Sequence, residues 1–99
     1  MDETRYRESR LCRLLGNPVV YQLILLLDDK GAVTPGNLAK LTRRSVPTIS
    51  IHLGKLRSAD VVRYDNRGKA TRYWLKHGRE VKELLKSLHK VVKASTQLS

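Results

Sequence analysis

What the sequence lacks already narrows the classes of protein that it can encode. Cys12 is the only cysteine among 99 residues, which rules out an internal disulfide framework and suits a reducing compartment. Phenylalanine is absent, whereas a basic helix that lies on anionic lipid usually carries Phe or Trp on its apolar face. The longest apolar run, residues 19–27, is interrupted by Gln22 and is about half the length needed to span a bilayer. These absences disfavour a secreted scaffold and a membrane protein.

Acidic residues are also scarce, and the resulting positive charge is concentrated in one part of the chain. The sequence has 20 Lys and Arg against 9 Asp and Glu, for a formal net charge of +11. Between Lys40 and Arg79, the 11 basic side chains are opposed only by Asp60 and Asp65. Such a localised excess favours a polyanion as the partner, and the lack of aromatic anchors favours nucleic acid over a membrane surface.

No enzyme site is recognisable in the sequence. It contains no Gly-rich phosphate loop, no group of carboxylates and no nucleophile with a base at a familiar spacing. The N-terminus begins with Met1-Asp2-Glu3 and continues with charged residues, unlike a secretory signal. We therefore expect a cytoplasmic protein that is not an enzyme and has no cofactor. The length predicts one domain, residues 1–99.

Caps and helix breakers divide the chain into five helices and one hairpin. Gly16, Asn17 and Pro18 supply a C-terminal glycine, an N-cap and a first-turn proline, and Thr34-Pro35 repeats the cap-then-proline signal. Ser45 is the next N-cap, and strand-forming residues flank the turn at 66–68. The expected fold is mainly α with a small β-hairpin. It is a winged helix-turn-helix, with the helix-turn-helix at about 34–59, the wing at about 61–75 and a terminal dimerisation helix at about 79–95.

The third and fourth predicted helices carry the apolar spacing of one buried face. In the third helix, Leu38 and Leu41 are the expected buried positions. The fourth helix repeats apolar residues at intervals of three and four, and its expected buried face consists of Val46, Ile49, Leu53 and Leu56. The opposite face is the one that a recognition helix presents to base edges.

That opposite face supplies candidate DNA contacts. Thr48, Ser50 and His52 can form hydrogen bonds, and Ile51 can contact a thymine methyl. Ser50 can instead bond to its own helix and His52 can pack at the core edge, but an exposed Ile51 is harder to explain without a partner. Basic residues at the turn and the hairpin tip are either phosphate contacts or an ordinary solvated surface. The candidate DNA-binding residues are Arg43, Arg44, Ser45, Pro47, Thr48, Ser50, Ile51, His52, Lys55, Arg67 and Lys69.

The last predicted helix has one continuous apolar stripe, which suits a seam between two helices. The first helix has a partial apolar face that can contribute to the same contact. A dimer would also add to the limited core that a chain of this size can bury alone. The expected interface of a homodimer consists of Leu11, Leu14, Val81, Leu84, Leu85, Leu88, Val91 and Val92.

Several motifs follow one another between residues 15 and 75. They are Leu15-Gly16-Asn17-Pro18 ahead of an apolar helix, Leu38-Ala39, a Ser-x-x-Thr-Ile-Ser-x-His-Leu-x-x-Leu run from Ser45, and a hairpin with Gly68, Tyr73 and Leu75. In these motifs the chain resembles the ArsR-type winged-helix repressors of bacteria and archaea. The resemblance implies a homodimeric transcription factor that pairs through its first and last helices and binds a palindromic operator.

The chain departs from that family where many members bind metals. At the positions of a cysteine pair at the start of the third helix, this sequence has Thr34 and Gly36. In the last helix, His89 is accompanied by two glutamates but lacks a histidine partner at ligand spacing, whereas transition-metal sites need several converging ligands. We therefore expect no metal site. Cys12 is expected to be a small buried residue, and an intersubunit disulfide is the alternative.

Together these observations predict a DNA-binding transcriptional regulator that acts on double-stranded DNA as a dimeric repressor by occupying its operator. Three alternatives stay open from the sequence. One is a metal- or redox-responsive sensor of the same fold. The others are a winged-helix module for protein assembly and an architectural protein that binds DNA or RNA with little sequence preference.

Overall fold

The structure of the protein is a computed structural model, and it describes residues 1–68 and 70–97. Within these ranges the predicted order of five helices and one hairpin is confirmed. The elements are α1 (Glu3–Leu15), α2 (Pro18–Lys30), α3 (Pro35–Thr42), α4 (Val46–Ser58), β1 (Val62–Asp65), β2 (Arg72–Leu75) and α5 (Gly78–Gln97).

The helix starts follow the predicted capping residues. The Asn17 side chain accepts hydrogen bonds from the backbone N–H groups of Val19 and Val20, at 2.9 and 3.3 Å. Thr34 accepts from the N–H of Asn37 at 3.1 Å, so its hydroxyl is used to cap α3. A proline follows each of these caps in the first turn, where the missing N–H costs no helical hydrogen bond.

The core is built by α2, α3 and α4 and is closed by the start of the hairpin. Its buried side chains are Val20, Leu23, Ile24, Leu27, Val33, Leu38, Ala39, Ile49, Leu53, Leu56, Val61, Val62 and Leu85. Helix α2 contributes four of these from an almost uninterrupted apolar segment, because its neighbours cover it on several sides.

Two predicted core positions are wrong. Leu41 and Val46 are each 46% exposed. Helix α3 has only eight residues, and it turns Leu38, Ala39 and Thr42 towards the core instead of Leu41. The buried Thr42 is satisfied because its hydroxyl donates to the backbone carbonyl of Leu38 at 2.7 Å. Val46 is the first residue of α4 and lies ahead of the buried stripe that begins at Ile49.

The hairpin pairs β1 and β2 in an antiparallel register from Val62–Leu75 to Asp65–Arg72. Val33, in the link between α2 and α3, forms an isolated bridge with Tyr73 through two backbone hydrogen bonds of 2.9 Å. Strand β2 is therefore tied to the segment that precedes the helix-turn-helix.

The terminal helices share little of this core. Among the residues that the structure describes, α1 has no buried side chain, and α5 contributes Leu85 to the buried set. An ion pair of 3.1 Å between Lys82 of α5 and Asp28 of α2 ties α5 to the core helices.

No single helix within residues 1–68 and 70–97 is both long and apolar enough to cross a membrane. Within these residues, only α1 and α2 taken together have the length and composition of a membrane-spanning segment, and the two helices are bent by 95° at the break between them.

Candidate nucleic-acid interface

The turn between α3 and α4 places two arginines at the surface. Arg43 adopts a left-handed backbone conformation, with φ of 56°, and the N–H of Arg44 donates to the carbonyl of Ala39 at 3.0 Å. This closes α3 and redirects the chain into α4 within three residues. The side chains of Arg43 and Arg44 are both exposed, as expected of candidate phosphate contacts.

The start of α4 orients Thr48. The hydroxyl of Ser45 accepts from the backbone N–H of Thr48 at 3.3 Å and donates to the Thr48 hydroxyl oxygen at 2.9 Å. Because Thr48 is the acceptor in the second bond, its own hydroxyl hydrogen can be donated to another acceptor. Ser45 therefore acts both as the helix cap and as the group that positions Thr48.

The outward face of α4 is open in the way the sequence predicts. Ile51 is 62% exposed, and Pro47, Ser50 and Lys55 are exposed as well. An isoleucine on a charged surface adds apolar area that a thymine methyl can cover. This face combines hydrogen-bonding groups, one large apolar side chain and one cation.

His52 lies at the edge of this face and is half-buried. Its Nδ1 atom is buried and has no hydrogen-bond partner in the part of the chain that the structure describes. Burial lowers the pKa of His52 below its ordinary value of 6.5, and the nearby charges of Lys55 and Arg44 lower it further. The imidazole is therefore neutral at neutral pH.

At the tip of the hairpin, one of the predicted basic contacts, Arg67, is paired within the chain. Gly68 has φ of 86°, a conformation that suits glycine at the turn. Arg67 is held by Asp65: its Nε donates to one carboxylate oxygen at 2.7 Å, and its backbone N–H donates to the other at 2.7 Å. These hydrogen bonds lower the pKa of Asp65. The charge of Arg67 is thus already paired, and Lys69, the other predicted basic contact, lies outside the described residues.

Sequence reasoning missed a contact that joins α4 to the wing. The guanidinium of Arg57 lies 4.9 Å from the centroid of the Tyr64 ring, within the range of a cation–π interaction. Tyr64 in turn stacks on its cross-strand partner Tyr73, with ring centroids 5.6 Å apart. The cross-strand pair could have been found from the hairpin register, whereas nothing in the sequence pattern points to Arg57.

A second contact fixes the other end of the hairpin. Asp60 has φ of 64°, and its carboxylate accepts from Lys76 Nζ at 2.7 Å through both oxygens. His77 Nε2 lies 3.9 Å from the same carboxylate. The hydrogen bond from Lys76 lowers the pKa of Asp60. The segment that leaves α4 is therefore tied to the segment that enters α5.

The structure gives no metal-binding role to Thr34, which stands where many ArsR-type repressors have a metal-binding cysteine. Thr34 caps α3, and within residues 1–68 and 70–97 no three His, Cys, Asp or Glu side chains converge as metal ligands would. Cys12 is exposed, so the expectation of a buried cysteine is wrong. It lies on α1, a helix whose side chains are largely left outside the core.

The expected dimer residues divide into two groups. Leu84, Leu88, Val91 and Val92 are exposed on one stripe of α5, with Val91 at 65%. Leu85 is only 8% exposed and belongs to the chain's own core, while Leu11, Leu14 and Val81 pack against that core and are half-buried. The outer stripe of α5 is thus apolar surface that the single chain leaves uncovered.

The sequence matches no protein-family model and no curated protein. Among solved structures, the transcriptional repressor BigR from Xylella fastidiosa is 28% identical over 90% of this chain and 90% of its own, with a TM-score of 0.76. HlyU from Vibrio cholerae N16961 is 24% identical over 92% of this chain and 97% of its own, with a TM-score of 0.79.

A third solved structure is described as a homodimeric winged helix-turn-helix DNA-binding domain, Mb0332 from Mycobacterium bovis, a possible ArsR-family transcriptional regulator. It is 20% identical over 100% of this chain and 94% of its own, with a TM-score of 0.81. The predicted fold is confirmed, and two of these neighbours are described as a transcriptional repressor and as a possible transcriptional regulator. In structure, the chain resembles winged-helix regulators of the ArsR type.

Proposed function

We propose that the protein is a sequence-specific transcriptional regulator that binds double-stranded DNA as a homodimer and represses by occupying its operator. The observation that carries this proposal is the outward face of α4. The second helix of a helix-turn-helix enters the major groove. Here that helix carries an oriented hydroxyl on Thr48, an exposed Ile51 and the cation of Lys55.

Each of these groups has a matching partner on DNA. Thr48 can donate to a base acceptor, Ile51 can cover a thymine methyl, and Lys55 can contact a phosphate or a guanine. Ser45, Pro47, Ser50 and the neutral His52 surround them as further base or backbone contacts. The turn residues Arg43 and Arg44 are assigned to phosphates on the basis of their exposure.

Dimerisation is supported by the uncovered stripe of α5. An apolar stripe at helical spacing is satisfied by a second copy of the same helix, and two-fold pairing is the commonest arrangement of soluble oligomers. The neighbour Mb0332 is described as homodimeric. In the proposed dimer, α1 and α5 pair with their counterparts, and two recognition helices reach successive major grooves about one helical turn apart or a multiple of it.

The test is binding to duplex DNA, measured by fluorescence anisotropy across a series of salt concentrations. One duplex carries the sequence upstream of the protein's own gene, and a scrambled duplex of equal length is the control. A preference of about a thousandfold or more, with affinity falling steeply as salt rises, supports a sequence-specific regulator. Equal binding to every duplex tried would indicate an architectural role, and no binding at low salt would overturn the proposal.

A double variant, Thr48→Ala with Ile51→Ala, separates DNA binding from protein assembly. We expect it to lose about 1–3 kcal/mol of discrimination for each base contact removed, while the dimer stays intact in sedimentation. The matched control is Leu25→Ala, which removes an exposed apolar side chain from α2 instead of α4. If the double variant binds DNA as the control does, α4 is not the recognition helix.

A further inference from the structure

The recognition helix does not face open solvent along its whole length. A groove of about 820 Å³ lies between α1 and α4, and it is lined on the α1 side by Leu11 and Leu14, which also belong to the expected dimer interface. On the α4 side it is lined by Ile51, Gly54 and Lys55. The residues expected to contact DNA therefore also form one wall of a groove whose other wall is α1.

Helix geometry explains this arrangement. Positions 51, 54, 55 and 58 are spaced as one stripe of a helix, and all four line the groove. The stripe that begins at the DNA-reading end of α4 thus continues directly into the space beside α1. Ile51 and Lys55 belong both to the outward face of α4 and to the lining of this groove, so a duplex bound to that face would lie beside the α1 wall.

The groove carries a marked excess of positive charge. Arg7 and Arg10 of α1 line it opposite Lys55 and Arg57 of α4, and Glu8 is the single acid among the lining residues. Glu8 is already paired, since its carboxylate lies 2.9 Å from the Arg5 guanidinium. Four cations around one neutralised acid attract an anion, and an arginine guanidinium matches the geometry of a phosphate.

The surroundings of these cations assign different roles to them. Arg57 lies over the Tyr64 ring and is committed to holding the wing. Arg10 lies 6.0 Å from the Tyr6 ring centroid, at the outer limit of a cation–π contact, and its side chain is exposed like that of Arg7. Arg7 and Arg10 are therefore the groups on α1 that a DNA backbone can engage.

We propose that Arg7 and Arg10 bind phosphates of the DNA strand that borders the base pairs contacted by α4. The inference rests on the proposed function and extends the interface from the helix-turn-helix to the first helix. A duplex is favoured over a small organic anion because two candidate DNA contacts of α4, Ile51 and Lys55, themselves line the groove. Phosphate contacts of this kind add affinity and orientation without sequence preference.

The experiment compares Arg7→Gln/Arg10→Gln with Arg13→Gln/Lys86→Gln. Both double variants remove two positive charges from exposed positions on the terminal helices, but Arg13 and Lys86 do not line the groove. We expect the groove variant to reduce the slope of log affinity against log salt by about two per protomer. Its affinity should fall on the order of tenfold or more, by the same factor on the upstream and the scrambled duplex.

The controls distinguish this inference from the proposed function. Replacement by lysine, Arg7→Lys/Arg10→Lys, keeps the charges and should restore most of the affinity, with the dimer checked by sedimentation in every variant. If the groove variant behaves like the Arg13/Lys86 control, or binds more tightly because α1 obstructs DNA, the inference is overturned while the proposed function stands. If the unmodified protein binds no duplex at low salt, the proposed function fails and this inference fails with it.

Discussion

The three central helices and the two terminal helices of this protein differ sharply in how they are stabilised. Nearly all buried side chains come from α2, α3, α4 and the adjoining hairpin. Helix α1 contributes none among the described residues, and α5 contributes Leu85. The helix-turn-helix is thus held by its own core, whereas α5 presents apolar side chains that a single chain leaves exposed.

This difference separates two tasks. The buried stripe of α4 anchors this helix to the core, so its outward residues are positioned without any partner. The outer stripe of α5 gains stability only when something covers it. The same substitution should therefore lower the free energy of unfolding more in the central helices than in the terminal helices.

The largest expected effect is on the central core. Leu53→Ala removes a side chain with 0% exposure and should lower the free energy of unfolding by about 2–5 kcal/mol, through lost burial and the cavity left behind. Leu88→Ala makes the same chemical change on α5, where 37% of the side chain is exposed, and should cost the monomer about 1 kcal/mol or less. Urea unfolding at concentrations that keep the protein monomeric measures both. Equal losses would contradict the division of the molecule into these two regions.

The next effect is on association. Val91→Ala combined with Val92→Ala removes the two most exposed valines of the α5 stripe and should leave monomer unfolding almost unchanged. The dimer dissociation constant should rise at least about tenfold, since burying each valine contributes about 1.5 kcal/mol. Sedimentation across a concentration series measures this constant. The matched control is Lys90→Ala/Lys93→Ala, and a similar rise in that variant would argue against the stripe as the pairing surface.

The two regions also differ in how much the sequence reveals about them. Caps at Asn17, Thr34 and Ser45 fix the helix starts through local hydrogen bonds, so these boundaries are predictable from short patterns. The exposure of Ile51 follows from its position opposite Ile49 and Leu53 on a helical projection. The predicted burial of Leu41 and Val46 is wrong because both residues lie near the α3–α4 turn. There the angle between the two helices decides which side chains are buried, and helical periodicity does not.

Contacts that depend on a turn conformation or on the angle between elements could not be predicted from periodicity. The pairing of Arg67 with Asp65 depends on the conformation of the hairpin tip, and the position of Arg57 over Tyr64 depends on the angle between α4 and the wing. The groove beside α4 depends on the 95° bend between α1 and α2. The candidate base contacts of α4 are therefore predictable from the sequence, and the phosphate-binding surroundings proposed here require the fold.

The smallest expected effect is the pH dependence that His52 gives to the central region. Burial, with Lys55 and Arg44 nearby, lowers the pKa of His52 in the folded protein below its ordinary value of 6.5. The unfolded chain therefore binds more protons than the folded one between the folded-state pKa and 6.5. This contribution to stability is complete above 6.5 and is lost as pH falls towards the folded-state pKa.

His52→Gln keeps a neutral polar side chain and should flatten the fall in stability over this range of pH. His77→Gln, which changes an exposed histidine beside Asp60, serves as the matched control. Urea unfolding at several pH values between neutral and mildly acidic measures the two slopes. The flattening is expected in His52→Gln, because Nδ1 of His52 is buried. An unchanged slope in His52→Gln would mean that the pKa of His52 is the same in the folded and the unfolded chain. The edge of the outward face of α4 would then be open to solvent, unlike the core behind it.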